Sequence, residues 1–553
     1  MAFFRLQNVK WDDDGIGRGG TASLEKSKYV KELKTHSRRV LIEPLGQVVY
    51  IKRNDSVGVF LSPTKGLIEC NAKKGEFSAV DPDDPRLAGW TGLRRPFVHT
   101  VFGDAYLALE SMRNNGFLKI LSATLPDRGI FERALFHLCH ALLKDGSRIG
   151  CDDYYRKSFL SYLDPAFAPA ALRSDTRFYE LLSDDSVKTA FFKALVAAER
   201  EKNPAFGKAC MIDSTPLPNE ISDCFLTELC SHGLSGTADQ ARLVLVCDLE
   251  TGIPVWFKLI AGNVLDFQTI LGTVKDVSET LGVEIMDMVL DAGYVCRDLI
   301  EKINLGAVPE AEDVSDGDKK FWSGRNFVAR MPAKKGYPFK SLYFKVKNEL
   351  NRGKYGFVRN GHIYFGRVFD TVVFDRKEKA YVYVDKLNAS QRFVEYMEAH
   401  ADEYAGLKEK DKDWHMVSGG FFVLLSNLDM SPSDMLQRYF ERTAIEGVFK
   451  TEKTYLDLLP LQKKKMAAIE GKILFETMAC VAYSEIREKL GKSSRSMTEM
   501  IGKSQSLMCS IDSKDTVHVE TANKQTKEVF QAMGIEIPGL VDMPAYRKSL
   551  GLM

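Results

Sequence analysis

Three acidic residues stand where they could act together. Asp213 closes a short apolar run, KACMIDSTPLP, and Asp291 closes a second, VEIMDMVLDAGY. Glu446 lies within SPSDMLQRYFERTAIEGVFKTEK, residues 431–453. Carboxylates are hard oxygen donors, and three of them held on rigid elements suit Mg²⁺, which takes oxygen ligands and keeps several waters. Two such ions about 3.5–4 Å apart can activate a nucleophile and stabilise the leaving oxygen of a phosphodiester. Two ions are therefore expected, bridged by Asp213, with Mn²⁺ able to substitute.

Residues 431–453 read as one amphipathic helix. Ser431 or Ser433 can cap it, Pro432 suits its first turn, and Asp434 complements the positive end. At about 100° per residue, with Tyr439 at zero, Arg442, Glu446 and Lys453 fall at about 300°, 340° and 320°. These four polar groups form a narrow stripe. Leu436, Phe440, Ala444 and Val448 gather on the opposite side, ready to pack on a core. A charged helix face is usually just solvated, so the stripe gains meaning only beside Asp213 and Asp291.

Each aspartate also has an ordinary reading, since Asp before Ser-Thr-Pro or Ala-Gly is a common turn residue. Competing acids lie nearby. Asp287 falls inside its apolar run, Asp248 precedes a Glu-Thr-Gly turn, and Asp266, after Gly262-Asn263, reads as a helix cap.

The elements that must position the acids follow a definite order. KACMIDSTPLP is a strand, and ARLVLVCDLETGIPVWFKLIAGN is two more joined by a turn. DFQTILGTVKDVSETLG is a helix, VEIMDMVLDAGY a strand, VCRDLIEKINLG a helix and NFVARMPA a strand. This β-β-β-α-β-α-β order is that of an RNase-H-like core, in which strands one and four are neighbours. A β-rich insertion follows, marked by Asn360-Gly361, a strong tight-hairpin signal. GGFFVLLSN then returns to the core as a strand, and MAAIEGKILFETMACVAYSEIREKL is a long helix with Met466, Ile469, Ile473 and Cys480 on one side.

The chain is divided accordingly. Residues 1–95 are a strand-rich N-terminal region, and 96–205 a helical region that could bind DNA ends. Residues 206–334 and 418–490 form the two parts of the core, 335–417 the β-rich insertion, and 491–553 a less regular tail. The fold class is α/β: an RNase-H-like mixed-sheet catalytic core interrupted by a β-rich insertion, with an N-terminal α+β region and a helical C-terminal region.

Bulk properties set limits. With 553 residues, 45% hydrophobic and 27% charged, the chain can bury a large core. No run of about 18 apolar residues occurs, so no membrane span is expected. The N-terminus meets acid too early for a secretory signal, and ten scattered cysteines fit reduced core thiols in a cytoplasmic protein. Cys224, Cys230 and His232 lack the second half of a zinc site. The net charge of +1 excludes a bulk electrostatic case for nucleic acid, so any DNA site must be a local patch, and the basic stretch KYVKELKTHSRR is by default a solvated face.

IDST at 212–215, DAGY at 291–294 and the Y-x2-R-x3-E-x6-K spacing of Tyr439, Arg442, Glu446 and Lys453 resemble the DDE transposases of bacterial insertion sequences. The four-residue signature resembles the insertion sequence 4 group. GIPVWFKLIAGNVLDFQT and LLSNLDMSPSDMLQRYFERTAIEGVFK resemble its branch typified by insertion sequence 1634. The resemblance runs from about residue 209 to 485. It implies a metal-binding catalytic triad of Asp213, Asp291 and Glu446, and DNA contacts from Tyr439, Arg442, Lys450 and Lys453. It further implies cut-and-paste transposition in the prokaryotic cytoplasm, at the nucleoid. The partners would be terminal inverted repeats and target duplex DNA, with a homodimer in the synaptic complex. In similar proteins the insertion stabilises a flipped base; Trp322, Trp414, Phe344, Tyr364 and Tyr381 are candidates here. Two alternatives stay open: an RNase-H-like nuclease without strand transfer, and a domesticated DNA-binding regulator.

Overall fold

The computed structural model describes the chain except for residues 1, 31–34, 63–64, 82–83, 88–98, 144–149, 165–175, 220–225, 231–235, 308–314, 351, 457, 460, 462, 493–495, 513–514 and 553. Cys224, His232 and part of the basic stretch KYVKELKTHSRR thus lie outside the described residues. The chain forms two compact units, one of residues 1–184, 455–457 and 471–553, the other of residues 185–454 and 458–470.

The first unit opens with an eight-stranded antiparallel sheet between residues 2 and 79. Its apolar residues, among them Leu24, Leu45, Val48, Phe60 and Cys70, are buried together. Helices follow, among them Arg128–Leu143, in which His137 and His140 are buried core residues. The tail is more regular than its sequence suggests. Strands Met508–Ile511, Thr516–Val519 and Leu540–Asp542 join Thr100–Val101 in a four-stranded sheet, so the region is mixed rather than helical.

The second unit is built on a ten-stranded mixed sheet. Strands β1 (Ala209–Pro218), β2 (Ala238–Asp248) and β3 (Pro254–Ala261) form an antiparallel meander. Helix α1 (Ile270–Leu281) then crosses to β4 (Asp287–Leu290), which pairs parallel with β1 on its other edge. Helix α2 (Arg297–Ile303) precedes β5 (Asn326–Arg330), parallel to β4. The spatial order is β3-β2-β1-β4-β5, a mixed α/β arrangement with the first and fourth strands adjacent. Cys210, Met211 and Ile212 of β1 and Met288, Val289 and Leu290 of β4 are all fully buried. Such unbroken apolar runs are what parallel strands covered on both faces require.

The insertion is not a separate layer. Strands β6 (Gly356–Arg359), β7 (His362–Val373) and β8 (Arg376–Asp385) continue the same sheet through β9 (Phe421–Ser426), which lies between β5 and β8. The β6–β7 turn is Asn360-Gly361, with φ of 50° and 78°. Both values are positive, as a two-residue turn matched to strand twist demands. The β7–β8 turn uses Phe374-Asp375, with φ of 50° and 63°. Phe374 lies in a region that bulky side chains avoid; its ring packs edge-on against Tyr337 and under the Arg297 guanidinium.

Candidate active site

Asp213 does not end its strand. It lies within β1, opposite Leu245 of β2. What ends there is the parallel pairing with β4, whose last register pair is Ile212 with Leu290. Asp213 and Asp291 are therefore the next residues in register on adjacent strands, one still in its ladder and one just past it.

The stretch carrying Glu446 is not one helix. Helix α3 (Pro432–Phe440) starts as expected, with the Ser431 hydroxyl accepting from the Asp434 N–H and Pro432 in the first turn. After Phe440 the backbone tightens. Arg442 N–H donates to the Tyr439 carbonyl, and Ile445 N–H to that of Arg442. The Thr443 hydroxyl takes the Phe440 carbonyl at 2.8 Å, a bond that competes with the helical ladder. Helix α4 (Thr443–Lys450) follows, and Thr451–Tyr455 form a π-helical turn, a widening often found at functional sites. The 100° arithmetic fails across these two irregularities. Ala444 is exposed and Tyr439 is buried, the reverse of a straight helix's assignment, while Met435, Leu436, Ile445, Val448 and Phe449 form the buried side.

The break brings one guanidinium onto all three acids. Arg442 Nη1 donates to Asp213 Oδ2 at 2.9 Å, and Nη2 lies 3.2 Å from Glu446 Oε1 and 3.9 Å from Asp291 Oδ1. The Asp291 and Glu446 oxygens thus cannot be farther apart than twice the longer distance. Tyr439 completes the group, its hydroxyl 3.5 Å from Asp291 Oδ1 and its ring beside the Arg442 guanidinium. Exposure rises outward: the side chains of Asp213, Asp291 and Glu446 are 16%, 44% and 58% exposed, so a ligand must enter from the Glu446 side.

Burial pushes the Asp213 carboxyl up to about 6, against the lowering effects of Arg442 and the Ser214 N–H. The Arg442 guanidinium is held above its ordinary value: burial opposes its charge, and Tyr439 and the three carboxylates outweigh it. Lys453 is engaged with β1, donating to Thr215 Oγ1 at 2.5 Å and to the Pro216 carbonyl at 2.7 Å. Burial brings its ammonium down to about 8. Lys450, in contrast, is exposed.

Among the described residues, no three His, Cys, Asp or Glu close on a single metal-sized point. The three acids converge instead on a cationic group, and their donor chemistry is that of a hard divalent cation.

Of the competing acids, Asp248 is a turn residue, accepting from the N–H groups of Thr251 and Gly207. Asp287 opens β4 rather than lying inside it, and receives Arg438 Nη2 at 2.6 Å, tying α3 to the strand that leads to Asp291. Asp266 caps no helix with its side chain. It accepts from Ser214 Oγ and from Arg242 Nη2, the latter at 2.7 Å, directly beneath Asp213. Its role was invisible in the sequence because both partners come from other strands. The aromatic candidates for base stacking are mostly core: Trp322 and Tyr381 are fully buried and Tyr364 nearly so, while Trp414 packs on Phe339, Tyr343 and Phe421.

Residues 208–482, the segment containing all three acids, match the family described as "Transposase DDE domain". This segment is a DDE transposase domain. Its activity is DNA cleavage and strand transfer. No curated protein matches the chain. Among solved structures, the piggyBac transposase synaptic complex with hairpin DNA is similar over 78% of this chain and 79% of its own, at 12% identity and a TM-score of 0.33. No helix among the described residues is long and apolar enough to cross a membrane.

Proposed function

We propose that the transposase excises and inserts a mobile DNA segment by a cut-and-paste route, with Asp213, Asp291 and Glu446 as its catalytic metal ligands. The supporting observation is the convergence of these three carboxylates, from β1, the end of β4 and α4, on the single Arg442 guanidinium. The strand order β3-β2-β1-β4-β5 supports an RNase-H-like core. The signature of Tyr439, Arg442, Glu446 and Lys453 supports assignment to the insertion sequence 4 group, branch of insertion sequence 1634.

Two Mg²⁺ ions held by these acids, or Mn²⁺ in their place, would supply charge neutralisation and nucleophile activation for in-line phosphoryl transfer. The protein's part is to hold the acids and the DNA. For the phosphates, the Arg442 guanidinium among the acids would offer forked contacts and the exposed Lys450 ammonium a point charge. Tyr439 positions Asp291 and packs on Arg442. For Lys453 the geometry favours a tie between the π-helical turn and β1 over a free phosphate contact. Terminal inverted repeats and target DNA are the proposed partners, joined by a homodimer in a cytoplasmic, nucleoid-associated setting.

Glu446→Gln should retain binding to element ends and lose cleavage in Mg²⁺. Full cleavage by this variant would remove Glu446 from the site. Joining of a pre-cleaved end to target DNA by the unmodified protein separates a transposase from a nuclease that only cuts.

A further inference from the structure

A buried ion pair lies under the two aspartates and touches the neighbours of both. Arg242, on β2, has a side chain only 3% exposed, and Asp266, in the short helical turn Asp266–Gln268, one that is 13% exposed. Arg242 Nη2 donates to Asp266 Oδ1 at 2.7 Å and also to Ser214 Oγ. The Ser214 hydroxyl donates to the same Asp266 oxygen. Ser214 follows Asp213 directly, so this three-membered network grips β1 one residue from the acid.

The other aspartate is reached through a glycine. Gly293 stands two residues after Asp291, and a Cβ placed on it would lie 2.7 Å from Asp266 Oδ2. A flexible side-chain end could give way to such a Cβ. This carboxylate cannot do so freely, because Arg242 and Ser214 hold its other oxygen. Tyr294 is fully buried near the same group.

We propose that Asp266 and Arg242 are positioning residues that set the spacing of Asp213 and Asp291 for metal binding, with Gly293 required by the close packing of Asp266. The proposal rests on the reading of Asp213 and Asp291 as metal ligands. Groups that orient a metal ligand typically contribute about 10- to 100-fold in metal affinity without touching the ion. An ion pair this buried adds little to stability over an apolar pair of similar volume, so its presence beside the residues that follow Asp213 and Asp291 fits a positional duty.

The test is Mn²⁺ binding, followed by electron paramagnetic resonance, by the full chain on a pre-cleaved DNA end. Asp266→Asn should weaken Mn²⁺ binding by about 10- to 100-fold with DNA-end affinity close to that of the unmodified protein, and should lower the melting temperature, because the Arg242 charge loses its buried counter-ion. Gly293→Ala should move the same readout in the same direction while leaving every charge in place. If Asp266→Asn folds poorly, the double replacement Arg242→Met with Asp266→Leu removes both charges together and carries the same expectation. Mn²⁺ affinity unchanged in these variants, but lost in Asp213→Asn, would overturn the positioning role and leave the metal ligands standing. Unchanged affinity in Asp213→Asn would overturn the ligand assignment itself, and the positioning role with it.

Discussion

A carboxylate held at about 6 by burial is a group whose ionised form is costly, and Asp213 is such a group. The sign follows from proton counting. Between the unfolded value near 4 and the folded value near 6, the native state binds more protons than the unfolded chain, so stability falls as pH rises through that window. Asp213→Asn removes the cost. In chelator at pH 7 it should raise stability by up to about 2–3 kcal/mol, and the gain should vanish below about pH 4, where aspartate is neutral in both states. Thermal denaturation across that pH range checks it. Residue types were the legible part of the site: three acids, an arginine and a tyrosine were all nameable from the sequence. Asp266 was not, because a carboxylate after Gly-Asn looks like a cap until Ser214 and Arg242 are brought to it by strands β1 and β2.

Among the elements, the insertion strand β8 supports the Glu446-bearing segment. The Tyr381 hydroxyl donates to the Leu428 carbonyl at 2.8 Å and accepts from the Met430 N–H at 2.9 Å. The Tyr383 hydroxyl donates to the Pro432 carbonyl at 2.7 Å. These bonds fix the loop that launches α3. Tyr381→Phe and Tyr383→Phe should each cost about 1 kcal/mol. Together they should slow cleavage more than they weaken DNA binding, since Glu446 lies downstream of that loop; single-turnover cleavage beside an end-binding titration would show it. Element order was readable because apolar runs and Gly-containing turns mark strands locally. The helix break at Glu441 and Arg442 was not, since it depends on the Thr443 hydroxyl and on the acids that draw Arg442 inward. Asn360-Gly361 announced its hairpin, and the run VVFDRKEKAYVYVD a second, although Phe374-Asp375 is a poor choice for its turn, which needs positive φ.

For the whole molecule, the main departure from the sequence reading is continuity. The residues between β5 and β9 look like an insertion along the chain, yet β9 pairs with β5 on one edge and β8 on the other. Excising residues 335–417 would bare a long edge of β9, and unpaired edges invite association. The excised protein should aggregate or expand rather than leave a trimmed, monomeric core, as size-exclusion chromatography with light scattering would reveal. The tail escaped sequence reading for a related reason: Met508–Ile511 pairs with Thr100–Val101, about four hundred residues away in the chain, a partnership that no local pattern encodes.

The arginine that meets all three acids lets the protein balance its own charge. With Arg442 supplying the positive partner, the mutual repulsion of the three converging carboxylates does not have to be relieved by spreading the strands apart. One cation thereby fastens β1, the end of β4 and α4 to each other, so a change at Arg442 is felt by all three at once.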